Sequence, residues 1–249
     1  MTSHADPAIL PGAEAWAHHA PAGTGGPVTT GVLVLHGFTG NPSSMRGFAE
    51  AMAGAGFHVE MPRLPGHGTT VEDMLTTGWG DWSAEADAAY TRLADRAERI
   101  VVAGLSMGGA LTLWLGLVHP EIAGLVCVNP ATTAQPDDVR QFLTETLASG
   151  SAMSLPMPGM PLAPLLSFIG DGLAPIQDRY GELAMPLLLL TSREDHVVAT
   201  TDSDFLAEHY GGPVDHRWLE RSYHVATLDF DRDIVFLDAV EFTHRVTGS

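Results

Sequence analysis

Lysine is absent from all 249 residues, and the 12 formal side-chain cations are arginines set against 30 acidic groups. The net charge of −18 repels polyanions, which excludes nonspecific attraction to nucleic acid or to an anionic membrane. Cysteine is scarce as well. Cys127 is the one thiol, so neither an intramolecular disulfide framework nor a cysteine metal cluster can form. Its seat in the apolar run 125–128 reads as that of a small core residue. No apolar run approaches the roughly 20 residues of a membrane helix. Positions 1–20 carry neither a basic leader nor an apolar stretch of the secretory kind. These absences set the expectation of a cytoplasmic protein without stable membrane insertion, and leave a monomer or a small homo-oligomer open.

What is present fits one large α/β domain. Apolar residues make up 45% of the chain, enough for a substantial core at this length. Short apolar runs at 32–35, 100–103, 125–128 and 187–190 lack polar alternation; weaker ones lie at 57–61 and 214–219. Such runs predict parallel strands covered on both faces. Helical patterns fall between them at 43–55, 83–96, 107–119 and 201–209. A last amphipathic helix is expected over 231–246, with Ile234, Leu237 and Val240 on its buried side. Strand and helix in repetition predict a mostly parallel central sheet with helices on both faces. Positions 133–185 break the rhythm, being far longer than one crossover helix needs. This interval opens with a helical pattern at 137–147 and continues into a stretch rich in methionine and proline at 153–162. It leaves from the end of a strand, where open α/β sheets bind ligands. It is therefore read as a small cap inserted into a core made of 1–132 and 186–249.

The chemistry centres on Gly104-Leu105-Ser106-Met107-Gly108, which follows the run 100–103 and opens a helix. A serine there sits on a strand-to-helix turn so tight that its close neighbours must be glycine. The turn lifts the hydroxyl clear and aims a helix N-terminus at it. A serine hydroxyl is a poor nucleophile at neutral pH, so a base is needed, and an acid to orient the base. In this strand–turn–helix arrangement the chain order is serine, acid, histidine. Asp195 stands three residues after Ser192, just past the run 187–190, with Glu194 and His196 as local competitors. The spacing fits a turn that lets Val198 re-enter the core. His224 lies in the loop after 214–219, placed to reach across the top of the sheet, whereas His209, His216 and His244 lie in or beside regular elements. Two backbone N–H groups are expected to form the oxyanion hole: that of Met107, after the nucleophile, and that of Phe38 in the loop after 32–35. His36 and His67 read as residues that hold loops by packing and hydrogen bonds.

The stretches His36-Gly37-Phe38-Thr39-Gly40, Arg63-Leu64-Pro65-Gly66-His67-Gly68-Thr69, Gly104-Leu105-Ser106-Met107-Gly108-Gly109, Glu194-Asp195-His196-Val197-Val198 and Ser222-Tyr223-His224-Val225-Ala226-Thr227-Leu228-Asp229 resemble the small bacterial monoacylglycerol lipases and their carboxylesterase relatives. The resemblance runs from about Gly31 to the C-terminus. It implies a capped α/β-hydrolase fold acting on monoacylglycerols and short-to-medium acyl esters, with no metal and no cofactor. By position it supports Ser106, Asp195 and His224 as a triad, with Phe38 and Met107 as oxyanion donors. The cap departs from the family pattern. There Met153, Met157 and Met160 are the expected acyl-chain contacts, because methionine is unbranched and polarisable; Pro156, Pro158 and Pro161 limit how far that wall can collapse. The same triad serves carbon–carbon bond hydrolysis or acyl transfer in other reaction classes, and these stay as alternatives. Dehalogenase and epoxide hydrolase chemistry needs a carboxylate where Ser106 stands.

Overall fold

The computed structural model describes residues 7–21, 29–148 and 160–249. The uninterrupted apolar runs are its central strands. β1 (Trp16–His18), β2 (Thr30–Leu35), β3 (His58–Met61), β4 (Arg99–Leu105), β5 (Gly124–Val128), β6 (Leu187–Ser192) and β7 (Val214–Leu219) form one sheet in the order β1-β3-β2-β4-β5-β6-β7. All neighbours run parallel except β1, which pairs antiparallel with β3. Every residue of β2, β5 and β6 is buried, and in β4 only Arg99 is exposed. Strand β7 instead alternates between more and less exposed positions, as a strand at the sheet edge does. That is why its run is weak in sequence.

Helices cover both faces. Alternate residues of one strand serve the two cores: Leu125 and Cys127 of β5 enter one, Val126 and Val128 the other. The first core is closed by α3 (Trp79–Ala94), α4 (Met107–Val118) and α8 (Thr200–His209), through Trp82, Leu111 and Leu206 among others. The second is closed by α1 (Arg46–Gly54) and α9 (Arg232–Thr247). A short α2 (Val71–Met74) precedes α3.

The long interval between β5 and β6 holds α5 (Asp137–Ala148), then a helical run made of α6 (Leu162–Ser167), a π-helical turn (Phe168–Leu173), α7 (Ala174–Ile176) and 3₁₀ turns (Gln177–Glu182). It is fastened to the sheet at its root. The Tyr180 hydroxyl donates to the Thr132 carbonyl at 2.8 Å, and the Asp202 carboxylate of α8 accepts from Thr132 N–H at 2.8 Å and from the Thr133 hydroxyl at 2.9 Å. Higher up, the Ser167 hydroxyl accepts from Trp79 N–H at 3.1 Å.

One expectation fails in α9. Ile234 and Leu237 are exposed, Val240 is half-buried against the second core as expected, and the fully buried face carries Val235, Ala239, Phe242 and Thr243. Close packing decides this. A Cβ on Gly124 of β5 would lie 2.9 Å from the Phe242 ring, so the helix lies tight against a strand without side-chain bulk there. A small residue, Ala239, faces inward where a pattern weighted by hydrophobic size places leucine. Phe242→Ala should therefore cost about 3–5 kcal/mol, while Leu237→Ala should stay within roughly 0.5 kcal/mol of the native protein. Denaturant midpoints of the two variants test this, and equal losses would restore the face expected from sequence.

Candidate active site

Ser106 links β4 to α4 with φ 57° and ψ −118°, a conformation that costs an L-residue strain and survives only where the surroundings over-determine it. The surroundings are backbone. A Cβ on Gly104 would lie 2.0 Å from the Gly108 carbonyl oxygen, and one on Gly108 would lie 2.3 Å from the Leu35 carbonyl oxygen. Gly109 is equally closed, because a Cβ there would meet Pro130 at 2.7 Å. Glycine at these positions lets β4, α4 and the end of β2 meet with no side chain between them, which holds the turn that presents the serine. The Ser106 N–H donates to the Val128 carbonyl at 3.0 Å, tying the turn to β5.

The loop after β2 comes against the same serine. A Cβ on Gly37 would lie 3.2 Å from Ser106 Cβ, so Phe38, the next residue, stands beside the turn that carries Ser106. Neither the Phe38 nor the Met107 N–H has an acceptor among the described residues, and the latter is the first N–H of α4. His36 holds this loop from below: its Nδ1–H donates to the Gly37 carbonyl at 3.0 Å and its Nε2 accepts from Leu64 N–H at 3.1 Å. Those partners require the neutral ring. Burial, with the neighbouring His67, brings the His36 pKa down to about 3. Burial likewise lowers His67 to about 4, and its Nδ1–H donates to the Pro65 carbonyl at 3.0 Å. An aromatic cluster completes the support: Phe38 lies 5.8 Å from Trp82 and stacks on Phe168 at 6.4 Å, and Phe168 stacks on Trp79 at 6.0 Å.

Asp195 and His224 come from the loops after the neighbouring parallel strands β6 and β7 and meet at 2.7 Å, His224 Nδ1 to Asp195 Oδ2. The carboxylate is 1% exposed and the imidazole 13%, so the ring keeps an open edge while its partner is sealed. Burial works to raise the Asp195 pKa, but the hydrogen bond from His224 and those from Val197 and Val198 N–H to Oδ1 (2.8 and 3.0 Å) outweigh it, and the net shift is downward. The turn differs from expectation in one detail, since Val198 stops half-buried instead of entering the core. Its N–H fixes the carboxylate instead. Glu194 and His196, the local competitors, are exposed. The His224 loop is gripped by carboxylates behind it: Asp231 accepts from Arg221 and Ser222 N–H (2.8 and 2.9 Å), and Asp229 from Tyr223 N–H (2.7 Å). His209, His216 and His244 bond to Phe205, Thr191 and Ser249, away from this site.

Of the expected acyl-chain contacts, Met153 and Met157 lie outside the described residues, and Met160 is half-buried ahead of α6. The residue that the long interval does bring to the Phe38 loop is Phe168, from the π-helical turn. Sequence reasoning missed it, as it missed Trp79 and Trp82, because an aromatic in a helical stretch reads as ordinary core.

A serine on a forced turn, an Asp–His pair and two unpartnered N–H groups can be compared with known proteins. The family model described as "Serine aminopeptidase, S33" matches residues 26–162, more than half of the chain. The chain is 38% identical over 235 residues to a thermostable monoacylglycerol lipase of Bacillus sp. (strain H-257), covering 90% of this chain and 93% of that one. The chain belongs to the bacterial monoacylglycerol lipase and carboxylesterase family of α/β-hydrolases. A carboxylesterase of Bacillus subtilis (strain 168) is 28% identical over 228 residues, covering 86% and 92% of the two chains. A solved structure from work on the metagenome-derived lipolytic enzymes LipS and LipT matches with a TM-score of 0.81 and 34% identity, over 96% of this chain and 100% of that one. The seven-stranded sheet is thus the α/β-hydrolase sheet of this family.

The two buried histidines make stability depend on acid. Their folded pKa values, about 3 and about 4, lie below the ordinary 6.5. Between those limits the unfolded chain binds protons that the folded one refuses, so stability is complete above about pH 6.5 and falls as pH drops toward 4. Each such histidine adds a slope of about 1.4 kcal/mol per pH unit inside the window. Urea unfolding at pH 7, 5.5 and 4.5 should show His67→Gln with a flatter decline than the native protein. An unchanged slope would mean that His67 titrates normally in the fold.

Proposed function

We propose that this hydrolase cleaves carboxylic esters, monoacylglycerols and short-to-medium acyl esters foremost, through an acyl-enzyme on Ser106. The observation that carries the reading is the 2.7 Å bond between the buried Asp195 carboxylate and the more open His224 ring, which belongs with a serine held at φ 57°. His224 takes the Ser106 proton as Oγ attacks the ester carbonyl. Asp195 fixes the ring tautomer and stabilises the imidazolium. The developing oxyanion is held by the Phe38 and Met107 N–H groups, which have no other acceptor among the described residues. His224 then gives its proton to the departing alcohol. Water, deprotonated by the same ring, releases the acid.

Several features support the finer assignments. Positions 133–185 act as a cap: their root is pinned by Asp202 and Tyr180, and Phe168 touches the oxyanion loop. In this reading Met153, Met157 and Met160 meet the acyl chain. The curated relative at 38% identity is named a monoacylglycerol lipase, which favours glycerol monoesters as substrate. All proposed catalytic groups come from one chain, so a monomer suffices, as would a small homo-oligomer with independent sites. Among the described residues no helix is long and apolar enough to cross a membrane. We place the protein in the cytoplasm.

Ser106→Ala should abolish fluorophosphonate labelling and cost on the order of 10⁶ in kcat. Asp195→Asn should cost about 10⁴, and it should fold, because a carboxamide oxygen still accepts from Val197 and Val198 N–H. In the native protein kcat/KM should rise with acyl length, at roughly 0.8 kcal/mol per buried methylene, until the pocket ends. An aminoacyl anilide should turn over far more slowly than a monoacylglycerol. Labelling that survives in the serine variant would refute the nucleophile, and faster turnover of the anilide would make the protein an amidase.

A further inference from the structure

Among the described residues three non-glycine positions have left-handed φ: Thr39 in the oxyanion loop, Ser106, and Asn129 at 44°. The first two belong to the site already described. Asn129 follows β5, and no motif points to it. It is 2% exposed, and its side-chain amide is fully engaged. Oδ1 accepts from Ser192 N–H at 2.7 Å. Nδ2 donates to the Ser192 hydroxyl at 2.9 Å and to the His224 carbonyl at 2.8 Å, with the Tyr223 carbonyl at 3.4 Å beside it.

Those partners stand at two of the three loops that bear the proposed triad, and the third is bonded to the residue next to Asn129. Ser192 ends β6, and its carbonyl accepts from Asp195 N–H at 3.3 Å, so the amide holds the base of the turn that carries the acid. The His224 carbonyl belongs to the residue proposed as the base. Val128, the residue before Asn129, accepts the Ser106 N–H. One buried carboxamide therefore ties the acid turn and the histidine loop to the strand end to which the serine turn is already bonded. The carboxylates of Asp229 and Asp231 hold the N–H groups of the same loop from behind, and Asn129 holds its carbonyls in front.

The geometry points to Asn129 as the positioning residue that sets where His224 stands relative to Ser106, a role that rests on the triad proposed above. The chemistry needs asparagine. Oδ1 accepts one N–H while Nδ2 donates to a hydroxyl and a carbonyl, and an amide side chain is the one that offers an acceptor oxygen together with two donor hydrogens. Of the amide residues, asparagine is the one that tolerates left-handed φ. Aspartate keeps the shape and the acceptor but sets a charged oxygen against the His224 and Tyr223 carbonyls. Glycine keeps the backbone conformation and removes the clamp.

The experiment compares native protein, Asn129→Gly and Asn129→Asp, with kcat expressed per active site titrated by a fluorophosphonate. This normalisation removes any loss due to unfolded protein. Gly124→Ala, a tight-packing change against Phe242, serves as a destabilised control away from the site. A misplacement of about 1 Å costs on the order of 10² in rate. Both Asn129 variants should therefore lose about 10- to 100-fold in kcat per titrated site with KM within threefold, Asp at least as much as Gly, while the control keeps its kcat. Retention of kcat within twofold in either folded variant would overturn the positioning role, as would a rise in KM that accounts for the whole loss. If Asn129→Gly does not fold, Asn129→Asp decides alone. Failure of the triad itself would show separately, as activity surviving in Ser106→Ala or His224→Gln.

Discussion

The site depends on backbone segments lying closer together than any side chain would permit. Strand β4 ends in a left-handed serine because Gly104 and Gly108 bring its last turn, the first turn of α4 and the end of β2 into direct contact. Each of these glycines stands against a carbonyl oxygen, and carbonyl oxygens cannot rotate away as a flexible side chain can. The strained Ser106 dihedral is thus fixed by the packing of three elements. The helix N-terminus is carried to the hydroxyl as part of the same contact. The loop after β2 is brought to the serine because Gly37, too, has no Cβ to hold it off.

Around that contact the molecule uses neutral and buried polar groups in place of exposed charge. His36 and His67 are held unprotonated by burial, so the loop after β2 rests on hydrogen bonds whose directions are fixed. Asp195 is ionised but sealed, with His224, Val197 and Val198 supplying its donors. The large negative net charge governs which surfaces the protein approaches. The aromatic contact of Phe168 with Phe38 joins the proposed cap to the loop after β2, so a shift of one is felt by the other.

Some of this could be read directly from the chain. The sheet was visible because fully buried parallel strands are continuous apolar runs, and β2, β4, β5 and β6 are such strands. Ser106 was visible because its turn demands glycine at fixed short spacing, and local spacing survives in sequence. Asp195 and His224 followed from the order of loops along a known arrangement, and the two residues indeed meet. The α9 face was misread: small residues allow the close approach, and a hydrophobic pattern does not register Ala239 and Gly124 as contact-makers. Strand β1, three residues long and half-exposed, carried no pattern at all.

The sequence by itself determined the strand runs, the glycine-framed serine and the order of the loops bearing Asp195 and His224, because each rests on neighbours within a few positions. The tertiary structure alone decided which distant groups hold those loops in register. Asn129 bonds to residues 63 and 95 positions away, Phe168 reaches Phe38 across the sheet's rim, and Leu64 N–H finds His36. Side chains such as these have unremarkable local surroundings. Their roles arise from a chain path that folds remote segments onto the C-terminal ends of the strands, and such proximity leaves no short-range trace in a single sequence.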